Sequence, residues 1–282
     1  MLPFACALAA YMFFEARALT VRRLALEFPT LPAPFDGFTL LHISDLHLLR
    51  FGTVARRLLR VLPTLPADLA LFTGDYKRHS YTSDALIPAW MGRIRRACPT
   101  REGAFAVLGN KDHAGMKPAL ATHGLDLLIN ESRTIERGGE RIHLLGVDAE
   151  SPVRRPARAA RILDRLPRHG FRILLAHTPD YVRLAAERGI ELVLAGDTHG
   201  GQVLLPVIGA LKVKSRLSRR YCRGLIREGP TTLHISAGCG TATVPFRLRC
   251  PPEVTLIALR RAPPGPRSGQ LRKQLTSRKT HA

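Results

Sequence analysis

Five short motifs place metal-ligating side chains at intervals along the chain. Asp45 and His47 stand in SDLH, Asp75 in TGDY, Asn110 in LGNKD, His177 in LAHTP, and Asp197 with His199 in AGDTHGGQ. Carboxylate oxygens, imidazole nitrogens and one amide oxygen suit borderline to hard divalent ions such as Mn, Fe, Zn or Mg. Seven donors are too many for one tetrahedral ion, whereas two ions sharing a bridging carboxylate would use them all. The five cysteines, Cys6, Cys98, Cys222, Cys239 and Cys250, are widely spaced and form no CxxC pair. They argue against a thiolate zinc site and a disulfide framework, and for a reducing compartment.

Each motif follows a short apolar run, and such runs bounded by polar clusters read as strands. Strands are expected over 38–43, 69–72, 105–108, 142–147, 173–176, 192–194, 233–235 and 254–259. The clearest helix covers 179–188, with Thr178 as N-cap, Pro179 in the first helical position and Gly189 closing it. Strands alternating with helices describe an α/β layered domain, in which ligands gather beyond the carboxyl ends of the strands. Residues distant in sequence would thereby converge.

Three segments are expected: an apolar anchor and connector over 1–35, a catalytic domain over 36–260, and a basic, disordered tail over 261–282. The apolar run over 2–14 is shorter than the roughly 20 residues of a spanning helix. It reads as an interfacial anchor or a marginal span, a buried core helix being the plainer alternative. No Lys or Arg precedes it, so a cleaved signal peptide is not expected. Arg17, Arg22 and Arg23 follow it, which places the remainder on the cytoplasmic face of the cytoplasmic membrane if the segment inserts. Lys plus Arg number 43 against 22 Asp plus Glu, a net charge of +21 that calls for an anionic partner or surface.

In their order DxH, GDxx, GNxD, a lone His after a strand, and GxxHGGQ, the motifs from Asp45 to Gln202 resemble the calcineurin-like metallophosphoesterase superfamily. The resemblance extends through Pro252 and Glu253. The apolar N-terminus and Pro-rich lead resemble the bacterial membrane-associated branch of that family. It implies an α/β fold, the αββα sandwich of two mixed β-sheets flanked by helices. It also implies that Asp45, His47 and His199 hold one divalent ion, that Asp75 bridges, and that Asn110, His177 and Asp197 hold a second. Two such ions roughly 4 Å apart lower the pKa of a shared water, so that hydroxide can attack phosphorus in line. They also neutralise the phosphate oxygens. Gly200 and Gly201 would let backbone approach the substrate without a Cβ. The SAGCGT segment, 236–241, is similar to the family's glycine-rich pocket wall.

Two positions depart from the family pattern. Lys111 replaces the usual His of the GNH motif, and Asp197 replaces the first His of GHxHGGQ. Exchanging His for Asp removes one positive unit from the centre, and Lys111 would restore it by holding a phosphate oxygen as a point charge. The competing reading is a decayed second metal site. An ammonium is a weak proton donor at neutral pH, so a good leaving group, a pyrophosphate or an aryl ester, is expected in preference to an alkyl phosphodiester. His113 could supply the proton, although an exposed loop histidine is the commoner case. Asp148 and Glu150 could flank the ligands.

Basic residues crowd 154–172 and 212–223, and the second run is expected to frame the pocket mouth. With an apolar N-terminus, such a surface suits anionic lipid, each near-surface cation contributing about 1 kcal/mol. The expected activity is metal-dependent hydrolysis of a phosphoester or pyrophosphate, on a phosphorylated small molecule or lipid such as a UDP-linked acylated sugar. A nucleic-acid or cyclic-nucleotide phosphodiesterase is the second enzymatic reading, and a catalytically silent metal-binding protein the third. Nucleic acid is disfavoured by the lack of a reader module and of interleaved aromatics.

Overall fold

The computed structural model describes residues 2–48, 52–79, 86–210, 213–242 and 244–263. Fourteen strands are β1 (Thr20–Phe28), β2 (Thr39–Ile43), β3 (Leu69–Phe72), β4 (Ala104–Ala106), β5 (Asp126–Leu127), β6 (Glu131–Arg137), β7 (Glu140–Gly146), β8 (Phe171–Leu175), β9 (Leu192–Ala195), β10 (Leu204–Leu205), β11 (Gly209–Ala210), β12 (Gly224–Glu228), β13 (Thr231–Ile235) and β14 (Glu253–Arg261). Six helices are α1 (Leu2–Glu15), α2 (Thr53–Val61), α3 (Ile87–Ala97), α4 (Lys117–Ala121), α5 (Pro156–Leu163) and α6 (Val182–Glu187).

The strands form two six-stranded sheets, in the orders β1-β14-β2-β3-β4-β5 and β12-β13-β9-β8-β7-β6, and a small β10-β11 hairpin. In the first sheet β2 to β5 run parallel and β14 runs antiparallel to β2. In the second, β13, β9, β8 and β7 run parallel, with β12 and β6 antiparallel at the edges. Interior strands buried on both faces are predominantly apolar, and alternate residues feed different cores. Leu40, Leu71, Leu144, Ile173 and Leu194 pack between the sheets. Leu41, Ile43, Ala70 and Phe72 face α2 and α3, through Leu58, Met91 and Ile94. Leu145, Leu174, Val193 and Leu233 face α5 and α6, through Ile162, Val182 and Ala185. The result is the αββα sandwich.

The structure revises three expectations. The expected connector contains β1, a nine-residue strand that pairs in parallel with β14 along its whole length, so the domain begins before residue 36. Its Arg22, Arg23 and Glu27 interrupt the apolar pattern that identifies a strand. The helix expected over 179–188 opens as a 3₁₀ turn, Pro179–Tyr181, before α6; the Thr178 hydroxyl accepts from Asp180 N at 3.3 Å. Arg261 closes β14, and the tail from residue 264 lies outside the described residues. No helix among the described residues is long and apolar enough to cross a membrane.

Candidate metal centre

All five motifs sit in loops at the carboxyl ends of strands: Asp45 and His47 after β2, Asp75 after β3, Asn110 after β4, His177 after β8, and Asp197 with His199 after β9. Five of these residues hold left-handed backbone: Asp45 (φ 51°), His47 (45°), Asp75 (53°), Asp197 (66°) and His199 (52°). That conformation costs a non-glycine residue about 1–3 kcal/mol and survives only where its surroundings enforce it. Here the loops enforce it mutually. Asp45 N donates to Gly74 O and His47 N to Asp75 O, each at 3.0 Å, while Cys239 N and Gly240 N donate to Ser44 O and Asp45 O at 2.9 and 2.7 Å.

The side chains meet in one place. His47 Nε2 and His199 Nε2 lie 2.9 Å apart, His199 Nε2 lies 3.4 Å from Asp45 Oδ1, and His47 Nε2 lies 3.5 Å from Asp75 Oδ2. On the other side of Asp75, His177 Nε2 is 3.5 Å from Oδ1 and 3.6 Å from Asp197 Oδ1, to which the Asn110 amide comes within 3.5 Å. The triads Asp45–His47–His199 and Asp45–Asp75–His177 each bring ligand atoms within 4.8 Å of one another. Asp75 thus faces both groups with different oxygens and could serve both ions.

The donor chemistry fits two cations. His47 Nδ1 donates to Lys77 O at 3.2 Å and His177 Nδ1 donates to Thr73 O at 2.7 Å, which leaves the lone pair of each Nε2 aimed into the centre. Asp45 Oδ1, Asp75 Oδ2 and His177 Nε2 are buried without any hydrogen-bond partner. Buried acceptors are ordinarily satisfied, and several converging lone pairs repel unless positive charge lies between them. Burial pushes the Asp45 carboxyl up to about 6, against the pull of His177, and pushes His47 down to about 4. Burial also disfavours protonated His177, but Asp75, Asp197 and Asp45 outweigh it and raise its pKa.

A line of donors holds Asp45 in place from the far side of the sandwich. His234 on β13 donates from Nδ1 to His42 Nδ1 on β2 at 2.9 Å; His42 Nε2 donates to Thr73 Oγ1 at 2.8 Å. Thr73 Oγ1 then donates to Ser44 Oγ, and Ser44 Oγ to Asp45 Oδ2, each at 2.7 Å. The tautomers follow from the network: each link requires the next, and all point toward Asp45 Oδ2. That oxygen also accepts from Asp197 N at 3.1 Å, so Oδ1 is the one presented to His199. His42, inside the strand expected over 38–43, is therefore tied to the ligand set.

Close approach explains two glycines. A Cβ on Gly109 would lie 2.1 Å from Asp75 N, and one on Gly196 would lie 2.0 Å from Ser44 Oγ and 2.3 Å from Asp45 Oδ2. Gly200 and Gly201, expected beside the substrate, instead face Cys250 and Ala210 and do not line the adjoining cavity. The 236–241 turn is built around Arg247, which is fully buried and whose guanidinium donates to Ala237 O, Gly238 O and Gly240 O. Nothing in the sequence around Arg247 announces that role.

A cavity of about 370 Å³ opens off the Asn110, His177 and Asp197 side of the centre, lined further by Glu150, Arg154, Asp180, Lys214 and Arg216. Here the structure redistributes the expected charge. Lys214 Nζ stands 3.3 Å from Asp197 Oδ1, whereas Lys111 meets the centre through its main chain, its N donating to Asp75 Oδ1 at 2.9 Å. Burial opposes ionisation of Asp197, but His177 and Lys214 overcome it and hold the carboxyl well below the usual carboxylate range. The cation that answers Asp197 is thus Lys214, which the sequence shows only as one member of a basic run. Asp112 fastens the Asn110 turn, accepting from Gly109 N at 2.9 Å and Tyr76 N at 3.0 Å.

Residues 38–201 match the calcineurin-like phosphoesterase family, more than half of the chain. The chain belongs to the calcineurin-like phosphoesterases. Among its relatives, the Bacillus subtilis metallophosphoesterase YkuE is 27% identical over 266 residues, covering 88% of each chain. The Escherichia coli phosphodiesterase YaeI is 29% identical over 239 residues, covering 79% of this chain and 82% of its own. As a calcineurin-like phosphoesterase the protein is a hydrolase of phosphoester bonds that works with two divalent metal ions. The departures at Lys111 and Asp197 both fall inside the matched span.

Proposed function

We propose that this phosphoesterase hydrolyses a phosphodiester or pyrophosphate carrying an apolar limb, presented at the cytoplasmic face of a membrane. The observation that carries the reading is the apolar helix α1, whose C-terminal end leads into a cavity that also borders the metal ligand His47. Phe4, Tyr11 and Phe14 are 74, 55 and 69% exposed, while Glu15 at its end accepts from Arg249 N and Cys250 N at 3.0 and 2.7 Å. A cavity of about 560 Å³ runs from the foot of α1, at Ala16 and Arg17, to the metal ligand His47, lined by Leu46, Leu48, Val54 and Pro245 with Arg56 and Arg78. Fourteen helical residues extend about 21 Å, short of the roughly 30 Å hydrocarbon core, so α1 would enter one leaflet rather than cross both. The apolar Leu46, Leu48, Val54 and Pro245 suit contact with a lipid tail, and Arg17, Arg56 and Arg78 an anionic surface.

In this reading Asp45, His47 and His199 would hold one ion, Asp75 both, and Asn110, His177 and Asp197 the other. When bound, the ions activate water for attack on phosphorus and neutralise phosphate oxygens. The chain's own residues orient the ligands: the carbonyls of Lys77 and Thr73 fix two imidazoles, and the His234-to-Ser44 line fixes Asp45. Lys214 adds a fixed positive charge at the cavity wall.

The test compares two pyrophosphates with one head group, one lipid-linked in anionic vesicles and one water-soluble, using the Mn-loaded protein. The lipid-linked substrate is expected to give at least ten times the kcat/KM, and Phe4→Glu with Phe14→Glu to abolish the advantage. Equal rates on both, or preferred cleavage of oligonucleotides with steep salt dependence, would overturn the reading.

A further inference from the structure

The cavity beside Asp197 is lined by three basic side chains, Arg154, Lys214 and Arg216, together with the acids Glu150, Asp180 and Asp197. Two loops meet there, one bearing Arg154 and one bearing Lys214 and Arg216. Asp180, 4% exposed, ties them together: Ser215 Oγ and Arg216 N donate to its Oδ1, each at 3.0 Å, and Ser151 Oγ donates to its Oδ2 at 3.3 Å. The acids in the cavity are already engaged. Asp180 is occupied by those three donors, and Glu150 pairs with Arg155 and Arg158 at 3.0 and 2.9 Å. Arg154 and Arg216 are exposed, and neither guanidinium pairs with an acid among the described residues. Beside the ligands Asn110, His177 and Asp197, and the Lys214 that pairs with Asp197, the cavity therefore holds two guanidinium groups with no acidic partner among the described residues.

We propose that Arg154, Lys214 and Arg216 form a subsite for a second phosphoryl group, so that the bond cleaved is a pyrophosphate linkage. The proposal rests on the phosphohydrolase reading above and names its substrate class. Guanidinium groups match phosphate oxygens in pairs, and Lys214, held at Asp197, supplies a point charge between the metal centre and the arginines. In the reaction, water adds its oxygen to the phosphorus at the metal centre and the bridging P–O bond breaks. The electron pair stays on the bridging oxygen, which leaves with the second phosphate, and the water's protons pass to product phosphate and solvent. Negative charge thus grows on the group the subsite holds. Such a leaving group departs without a proton, which accounts for a centre whose usual acid position is Lys111.

Calorimetric titration of the Mn-loaded protein with imidodiphosphate and with orthophosphate tests this without relying on turnover. The readout is the ratio of the two affinities. Imidodiphosphate is expected to bind at least 30-fold tighter than orthophosphate to the wild type, and the ratio to fall below 3 in the Arg154→Ala/Arg216→Ala protein. Arg161→Ala/Arg165→Ala, equally altered in charge but off the cavity, is expected to keep the wild-type ratio. A wild-type ratio near one, or a ratio untouched by losing Arg154 and Arg216, would overturn the subsite while leaving the phosphohydrolase reading standing. Failure of the loaded wild type to bind either anion would overturn both.

Discussion

The centre depends on residues whose backbone is strained as much as on their chemistry. Asp45, His47, Asp75, Asp197 and His199 all occupy left-handed backbone, and residue type alone does not reveal that. Types and order singled out the seven candidate ligands, because each motif follows an apolar run. Lys214 stood out only as a member of the basic run expected at the pocket mouth, because its partner Asp197 is seventeen residues away in sequence, with no pattern linking them. We predict that Lys214→Ala lowers kcat/KM on a pyrophosphate substrate by about 10–100-fold, that is about 1.4–2.7 kcal/mol. Lys111→Ala should cost no more than about threefold, because the contact of residue 111 with Asp75 is made by its main chain. Steady-state kinetics on the two variants checks both. Larger loss in Lys111→Ala would return the role to that side chain.

Among the elements, the division between what could and could not be read is physical. The eight strands expected from apolar runs, β2, β3, β4, β7, β8, β9, β13 and β14, are the interior strands of the two sheets. Of the six that were not expected, β1, β5, β6 and β12 are the edges of the two large sheets, where one side of the strand meets solvent and charged residues break the run, and β10 and β11 are the two-residue strands of the small hairpin. The His234–His42 contact joins the inner faces of both sheets, so it was invisible until the sheets were stacked. Replacing His234 by Leu leaves His42 Nδ1 without its donor and loosens Asp45. Mn affinity at the Asp45–His47–His199 group is expected to fall about 10–100-fold, read by calorimetry, and unchanged affinity would remove the network from ligand positioning.

The sheets are also joined at Asp68, beside β3. Its Oδ1 accepts from Arg137 Nη2 of β6 at 2.8 Å, and its Oδ2 accepts from Thr39 N and Oγ1 at 2.7 and 2.8 Å. Burial works against the Asp68 charge, but these donors prevail and lower its pKa. A carboxyl with a lowered folded-state pKa stabilises above its unfolded value of about 3.9, and that stability is lost as pH falls through the folded value. Asp68→Asn should therefore cost about 1–3 kcal/mol in urea unfolding at neutral pH, with the gap to wild type closing as pH falls through the lowered folded-state value. A gap that persisted there would show that the residue acts through something other than its charge.

For the whole molecule, metal binding and folding are one equilibrium. Loops that hold strained ligands and unpaired buried acceptors gain stability from any ion that binds the native state alone, about 2.7 kcal/mol for each ion at a hundredfold excess over its Kd. Chelation is expected to lower Tm by about 10 °C without loss of far-UV circular dichroism, and an unchanged Tm would mean the centre is rigid without ions. The net charge of +21 indicated an anionic counterpart but not where it would bind. Folding gathers part of that charge at one cavity, with Arg154 and Arg216 brought together from segments about sixty residues apart.

The most direct measurement is the metal content of the purified chain after reconstitution with excess Mn, read by elemental analysis and located by anomalous scattering. The account predicts two ions per chain, one on either side of Asp75, with loss of bridged binding and at least a thousandfold loss of activity in Asp75→Asn. A single ion, or ions bound away from these loops while Asp75→Asn remains active, would contradict it.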